Sequence, residues 1–379
     1  MNDSMAGDDM TLSSVEEVIA DAKQGKLFIL VDDEDRENEG DLCVIGEWAD
    51  AAAINFMAKY GRGLICLALT RERTEALGLS MMERRNESRH QTAFTVSIEA
   101  REGVTTGISA ADRAHTVRTA INPQCTDKDI TTPGHIFPLV ARDGGTLVRA
   151  GHTEAVVDIA RAAGARDPSG VICEIMKDDG EMARLPDLIE FAKEHDLKIA
   201  SIADLIAWRR RNESLIQRTV ETTITTRVGG EWRLLVYVNT ISGVEHLALV
   251  KGDISSDLPV LVRMHRVDLL TDLLGQISEK RSGNELIAAM QAIGDAGRGI
   301  IVLLRESSNA SISSTLSQSI ATSSDAIDQG HGLREYGVGA QILSDLGIRQ
   351  MTLLSNTKSN VVSLEGYDLE IAGWQGLSV

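Results

Sequence analysis

Four features are scarce in this 379-residue chain: cysteine, aromatic side chains, basic charge and long apolar runs. The four cysteines, Cys43, Cys66, Cys125 and Cys173, are too few for a disulfide scaffold and fit a reducing compartment. All four precede residue 174, and the rest of the chain has none. Aromatic residues make up 3%, which leaves few platforms for stacking bases. Lys and Arg number 38 against 56 Asp and Glu, a net charge of −18, and such a surface repels phosphate backbones. Nucleic acid is therefore not an expected partner. No apolar run is long enough to span a bilayer, and the acidic opening MNDSMAGDDM has no apolar core, so neither a membrane span nor a signal peptide is expected. A cytoplasmic location follows as an expectation.

What remains has ordinary globular composition, 43% hydrophobic and 25% charged, and the length favours two domains. Residues 1–12 read as a flexible arm. Ser13 and Glu16 read as a capping box opening a helix that Gly25 closes, and LFILV (27–31) and DLCVIG (41–46) read as buried strands. A helix near 49–60 and a strand at 63–69 follow, and GGTLVRAGH reads as a strand ending at residue 152. EAVVDIARAAG reads as a helix closed by Gly164, followed by a strand at VICEIM (171–176), a helix, a strand at KIASI and a last helix. Alternation of this kind predicts an α+β or mixed α/β domain over 13–210.

The texture changes at RRRNES (209–214). Splitting at 213/214 gives 25 basic and 38 acidic residues before and 13 and 18 after, so the acidity is mostly N-terminal. The second domain, 214–379, opens with β-branched runs around Gly229-Gly230, a predicted hairpin. Further strands are expected at EHLALV, VLVRMH, GIIVLLR and MTLLS, with helices at NELIAAMQAIGDAG and REYGVGAQILSDLG. Residues 307–324 hold eleven Ser or Thr in eighteen and read as a flexible loop.

Three constellations carry chemistry. Seven of the eleven residues 32–42 are carboxylates, squeezed between two apolar strands. Such crowding needs a cation or a shifted proton, and the oxygen-rich set suits Mg²⁺. Arg36, inside the run, either neutralises it or holds an anionic substrate. The second is Arg149-Ala150-Gly151-His152-Thr153-Glu154 at a helix start, where free N–H groups and the helix dipole favour phosphate. Gly151 permits close backbone approach, Thr153 can cap, and His152 is either a metal ligand or a base; a plain capping turn is the competing reading. The third is Glu174, an acid within an apolar strand: either it faces water, or burial raises its pKa and makes it a proton-transfer group. His135 sits on a Pro-flanked loop, and Thr105–Arg113 forms a glycine-hinged segment that can act as a flexible binding loop.

Together, DDEDRENEGDL, TTGISAADRA, TPGHIFPL, RAGHTEA and VICEI resemble 3,4-dihydroxy-2-butanone 4-phosphate synthase over about residues 13–210. The resemblance implies a lyase that converts ribulose 5-phosphate to formate and a four-carbon ketone phosphate in riboflavin biosynthesis. It implies Glu37 and His152 as ligands of Mg²⁺ or Mn²⁺, and Arg36, Asp41, Arg149 and Thr153 as holders of the sugar phosphate, alongside Glu37, Ala150, Gly151, His152 and Glu174. His135 and Glu174 are implied as essential, with Asp41 a further acid/base candidate and Glu39 supporting the loop. A homodimer is implied as well.

Residues 215–379 resemble GTP cyclohydrolase II through HLALVKGD, LPVLVRMHRVDLLTDLLG and YGVGAQILSDLG. That family uses three zinc-binding cysteines, and here Asp268 stands at the first position and Ser278–Gly283 at the other two. After Leu304-Arg305 the chain reads Glu306-Ser307-Ser308-Asn309-Ala310 in place of the segment carrying the catalytic Arg. No zinc is expected, and the domain is expected to be structural or regulatory, with His246, His265 and His331 as packing or surface residues. Two alternatives are a retained cyclohydrolase-type activity and a non-catalytic binding protein.

Overall fold

The computed structural model describes residues 12–33, 36–83, 92–255, 258–276, 284–305, 329–356 and 369–377. Residues 1–11 of the expected arm, the Ser/Thr-rich stretch, Ser278–Gly283, Glu306–Ala310, the side chain of His331 and two carboxylates of the acidic loop, Glu34 and Asp35, lie outside them. The chain divides into two compact units, Met1–Arg209 and Arg210–Val379, each mixed α/β. Among the described residues no helix is long and apolar enough to cross a membrane.

The first unit is built on a seven-stranded mixed sheet. Its strands are β1 (Phe28–Val31), β2 (Gly40–Ile45), β3 (Cys66–Leu69), β4 (Ile98–Ala100), β5 (Ile130–Val140), β6 (Gly170–Glu174) and β7 (Lys198–Ser201), in the order β4-β5-β3-β6-β2-β1-β7. Side chains alternate across the sheet. Ile29, Leu42, Leu67 and Val171 meet α2 (Ala51–Phe56), α4 (Ala110–Ile121) and α6 (Leu185–His195) on one face through Ile54, Val117 and Leu188. Leu30, Cys43, Cys66 and Ile172 meet α1 (Val15–Lys23), α5 (His152–Ala163) and α7 (Ile202–Asn212) on the other through Val18, Val156 and Leu205. A short α3 (Arg71–Ala76) follows β3.

Several expectations shift. The capping box forms one residue later than read, between Ser14 and Glu17, because Ser14 is the residue that leaves the helix with extended backbone. Leu12, at the end of the expected arm, packs on the core. The helix near 49–60 is α2 running into a π-helical turn, Met57–Gly61, and the strand expected from residue 63 begins only at Cys66. No strand ends at residue 152: Gly144 and Gly145 take positive φ, which breaks extended backbone, and a 3₁₀ turn at Gly145–Leu147 leads into the loop before α5. His135 lies inside β5, not on a loop; the two flanking prolines misled because the β4–β5 pairing shifts register beside them. The segment around Thr105 is pinned, not loose: Asp112 accepts from the N–H and hydroxyl of Thr105 (3.2 and 2.7 Å) and from Gly107 N–H (3.1 Å), while Ser109 caps α4.

The second unit has its own seven-stranded sheet of β8 (Ile216–Thr226), β9 (Gly230–Asn239), β10 (Glu245–Lys251), β11 (Val260–Arg266), β12 (Gly299–Leu304), β13 (Gln350–Leu354) and β14 (Glu370–Gln375), ordered β14-β13-β11-β12-β10-β9-β8. The β8–β9 hairpin turns at Gly229-Gly230 as expected, both with positive φ. The α9 helix (Glu285–Ala296) covers one face through Ala289 and Ile293. The α10 helix (Gln329–Asp345) covers the other through Ala340 and Leu343. A short α8 (Leu269–Leu274) follows β11.

Candidate active site

Sheet register explains how distant motifs come to one end of the first sheet. Leu30 pairs with Asp41, and Asp41 with Glu174. Cys66 pairs with Ile172 on one side and Phe137 on the other, so two residues further along lie Glu174, Leu64 and His135. By strand parity the side chains of Asp41 and Glu174 share the face that carries Cys43, Cys66 and Ile172. That face is the one α5 packs on, and α5 begins at His152. The site is therefore the polar margin of an apolar layer, closed by the first turn of a helix.

Asp41 is its most constrained group. It is 4% exposed, and burial first, then the charges of Glu174, Glu37, Glu39 and Asp32, push it well above the usual carboxylate range. Burial, assisted by Glu37 and opposed by Arg184, also raises Glu39. Glu174 ends β6 instead of sitting in mid-strand. Its Oε2 accepts from Leu64 N–H (2.8 Å), and a Cβ on Gly63 would lie 2.5 Å from that oxygen and from the Glu174 carbonyl oxygen. The Glu174 seat thus requires bare backbone at Gly63.

The acidic loop is organised by Asp32, which sequence reading passed over as one acid among seven. Its Oδ1 accepts from Glu39 N–H (2.8 Å), and its Oδ2 from Glu37 N–H (3.0 Å) and Arg36 Nη1 (2.8 Å). Burial opposes its ionisation, but the Glu39 N–H, the His152 charge and Arg36 outweigh it and hold its pKa low. Arg36 also reaches Glu37 Oε2 (2.9 Å), so of the two roles open for it the geometry displays neutralisation. Asn38 takes positive φ (54°), turning the Glu37 and Asn38 carbonyls onto Arg184, the N-cap of α6.

His152 is 5% exposed, and burial lowers its pKa. One ring nitrogen, Nδ1, lies 3.9 Å from Glu37 Oε2 and 4.0 Å from Asp41 Oδ1. The other, Nε2, is buried without a hydrogen-bond partner among the described residues. Asp32, Glu37 and His152 offer ligand atoms within 4.8 Å of one another. A carboxylate and imidazole set with an unsatisfied nitrogen fits a hard divalent cation. The carboxylate of Asp32 is already spent on the loop, which leaves Glu37 and His152 as the better donors.

Gly151, not Thr153, is the N-cap of α5, and Thr153 lies buried in the first turn. Arg149 Nη1 donates to Glu154 Oε2 (2.6 Å), whose Oε1 accepts from Arg142 N–H (3.0 Å). Glu154, 1% exposed, therefore fixes Arg149; its signal was a charged residue at a core-facing helix position. Ala150 packs against the apolar layer beneath. His135 is not drawn into this cluster. It lies two strands from β6, about 10 Å at ordinary strand spacing, and its Nδ1 is 2.7 Å from Glu99 Oε2, another acid the sequence reading missed. Cys66 is a buried strand residue, its thiol pushed up by burial and by Glu174 and Asp41.

In the second unit Asp268 accepts from the N–H groups of Leu270 and Thr271 (2.9 and 3.0 Å) as the N-cap of α8. His265 Nε2 contacts Asp272 Oδ1 (2.9 Å), and buried His246 accepts from Arg305 N–H (3.2 Å). His246 and His265 are thus packing residues.

Residues 16–208 match the family model of 3,4-dihydroxy-2-butanone 4-phosphate synthase. The chain belongs to the 3,4-dihydroxy-2-butanone 4-phosphate synthase family. It is a lyase of riboflavin biosynthesis. Residues 217–375 match the GTP cyclohydrolase II model. A synthase of this name from Pseudomonas aeruginosa is 48% identical, over 96% of this chain and 98% of its own. A riboflavin biosynthesis protein RibBA from Aquifex aeolicus is 46% identical, over 96% and 92%. The crystal structure of RibBX, a two-domain synthase from A. baumannii, aligns with TM-score 0.72 and 41% identity over 95% of this chain and 99% of that one. A synthase structure in complex with two magnesium ions aligns with TM-score 0.51 and 38% identity, over 53% of this chain and 98% of that one.

Proposed function

We propose that residues 13–210 of this synthase convert D-ribulose 5-phosphate to formate and L-3,4-dihydroxybutan-2-one 4-phosphate, with Asp41, Glu174 and His135 moving protons. The observation that carries this reading is the pairing of Asp41 with Glu174 beside Glu37 and His152. The substrate is an α-hydroxy ketone, and its rearrangement needs protons removed and returned through enediol formation, dehydration and loss of formate. Asp41, buried among carboxylates, favours its protonated form and can donate; Glu174, held by Leu64 N–H, is oriented to accept.

Glu37 and His152 would hold Mg²⁺ or Mn²⁺, which acidifies a C–H between two chelated oxygens. Arg149 and the first turn of α5, from Gly151 to Thr153, would take the phosphate, with the Ala150–Gly151 backbone approaching closely. Glu154 holds Arg149 in place for this. Arg36 would exchange its hold on Glu37 for the substrate. The active form is a homodimer, as the resemblance implies, and it works in the cytoplasm. Incubation with ribulose 5-phosphate and Mg²⁺ should release formate, and chelator or Glu37→Ala should stop it. No formate above those controls would sink the reading.

Residues 214–379 we propose to be structural or regulatory and to bind no zinc. Supporting this, Asp268 serves as a helix cap and His265 is engaged with Asp272, while no cysteine is available for the metal. Incubation with GTP and zinc should give neither formate nor pyrophosphate; appreciable release of either would favour the two-activity alternative.

A further inference from the structure

Resting on the reading of Glu37 as a metal donor, we infer that Arg184 is the positioning residue that holds the 37–39 turn, and with it the Glu37 carboxylate, in place for a divalent cation. Ionised groups clamp this turn from two sides. Asp32 accepts from the N–H groups of Glu37 (3.0 Å) and Glu39 (2.8 Å). Arg184 Nη1 donates to the carbonyl oxygens of Glu37 (2.8 Å) and Asn38. Hydrogen bonds to charged partners are stronger than neutral ones, so the pair fixes peptide planes that a short polar loop leaves to water. The clamp matters because Asn38 sits at φ 54°, a conformation that residues with a Cβ adopt at a cost.

The backbone of Arg184 serves α6, and its side chain serves the loop. Its N–H donates to Asp187 Oδ2 (2.9 Å), and its carbonyl accepts from Leu188 N–H (2.9 Å). The chain arrives there from Glu174. Ile175, the next residue, donates to the Gly40 carbonyl (3.0 Å), and Ala183 N–H donates back to the Ile175 carbonyl (3.0 Å). The α6 helix is seated on the far end of the loop, where a Cβ on Gly40 would lie 2.4 Å from Leu188 Cδ1. Arg184 is thereby tied to the strand ends that carry Glu174 and Asp41, and it passes that position on to Glu37. Its charge alone would act in the opposite sense. The guanidinium lies 3.9 Å from Glu39 Oε1 in the same acidic loop, and a positive charge there repels a second one. Loss of Arg184 therefore separates the two roles by sign: losing a holder weakens metal binding, and losing a repelling charge strengthens it.

The test titrates the full chain with Mn²⁺ in the absence of substrate, following free and bound metal by electron paramagnetic resonance. Arg184→Ala should weaken Mn²⁺ binding about 10-fold or more, the effect of removing a residue that orients a metal ligand. It should raise the Mg²⁺ concentration for half-maximal formate release by a similar factor, with kcat at saturating Mg²⁺ changed less than about twofold. Unchanged or tighter Mn²⁺ binding, or a loss of kcat that saturating Mg²⁺ does not restore, overturns the inference. Asn38→Val leaves Arg184 in place and strains the same turn, so it carries the test if Arg184→Ala folds poorly. It too should weaken Mn²⁺ binding, and the double variant should lose less than the sum of the two single losses. Full Mn²⁺ affinity in Asn38→Val, or strict additivity, also overturns the inference. If Glu37→Ala binds Mn²⁺ as tightly as the unsubstituted chain, the role of Glu37 as a donor falls and this inference with it. A Glu37→Ala variant that loses the metal beside an Arg184→Ala variant that keeps it would remove only the inference.

Discussion

At the residue scale the site is a contest between burial and charge, and Asp41 shows which wins. Burial and the four carboxylates around it, Glu174, Glu37, Glu39 and Asp32, all push its pKa up. Asp41→Asn retains shape and neutrality but cannot give up a proton. It should leave the fold intact by circular dichroism and lower kcat about 100-fold or more; a smaller effect would make Asp41 a support residue. Gly63→Ala tests the seat of Glu174. With backbone N and carbonyl oxygen of Glu174 at 2.7 and 2.5 Å from the added methyl, the strand end must move. A loss of about 1–3 kcal/mol by denaturant unfolding is expected, with formate release falling further than stability. Glu37, Asp41, His152 and Glu174, which the structure gathers at one sheet end, stand out in the sequence because short motifs bring unusual residue types together. Asp32, Glu99 and Glu154 were not. The first is hidden among look-alikes, and the other two act by holding a named residue across a fold that only the structure displays.

At the scale of elements, α5 is the device that brings the phosphate motif to the acidic loop. Its inner side chains pack on the sheet, and its polar anchor is Asp158. That carboxylate, fully buried, accepts from the N–H and hydroxyl of Thr146 (both 2.7 Å) and from Arg209 Nη1 (2.6 Å). It ties α5 to the turn before it and to α7. Removing one member of a buried pair strands the other, so Arg209→Ala should destabilise the first unit by about 3–5 kcal/mol in chemical denaturation; a loss under about 1 kcal/mol would show that Thr146 alone suffices. Helices with strong apolar periodicity, such as α1, α5 and α6, were readable. The β4 and β5 strands and α4 were not, because the prolines and glycines flanking them also mark turns, and only strand pairing decides between the two. The strand expected before residue 152 failed for a related reason, since two adjacent glycines with positive φ end extended backbone whatever apolar residues follow.

On the scale of the whole molecule, one chain carries two family folds. The second unit retains its sheet, its covering helices and buried polar contacts. The imidazole of His246, pushed down to about 4 by burial, is neutral in the folded state and accepts from Arg305 N–H. Its folded pKa lies below the unfolded value of 6.5, so the native state disfavours the proton. Its contribution is complete above about pH 6.5 and declines as pH falls toward 4. Between pH 7 and 5 the unit should lose about 2 kcal/mol by this route, a loss His246→Gln should largely remove in denaturant midpoints. A wild-type unit equally stable at both pH values would contradict the packing role.

The cysteine distribution separates the units more sharply than their folds do, since all four thiols lie in the first unit and none in the second, where the resemblance to GTP cyclohydrolase II implies three. The account rests on turnover in the first unit through Glu37, Asp41, His152 and Glu174. Turnover of uniformly ¹³C-labelled ribulose 5-phosphate by the full chain with Mg²⁺, followed by NMR, tests it most directly. The account predicts formate and a four-carbon ketone phosphate in equal amounts, abolished in Glu37→Ala and His152→Ala. It is contradicted if the substrate stays intact, or if either variant turns over at the rate of the unsubstituted enzyme.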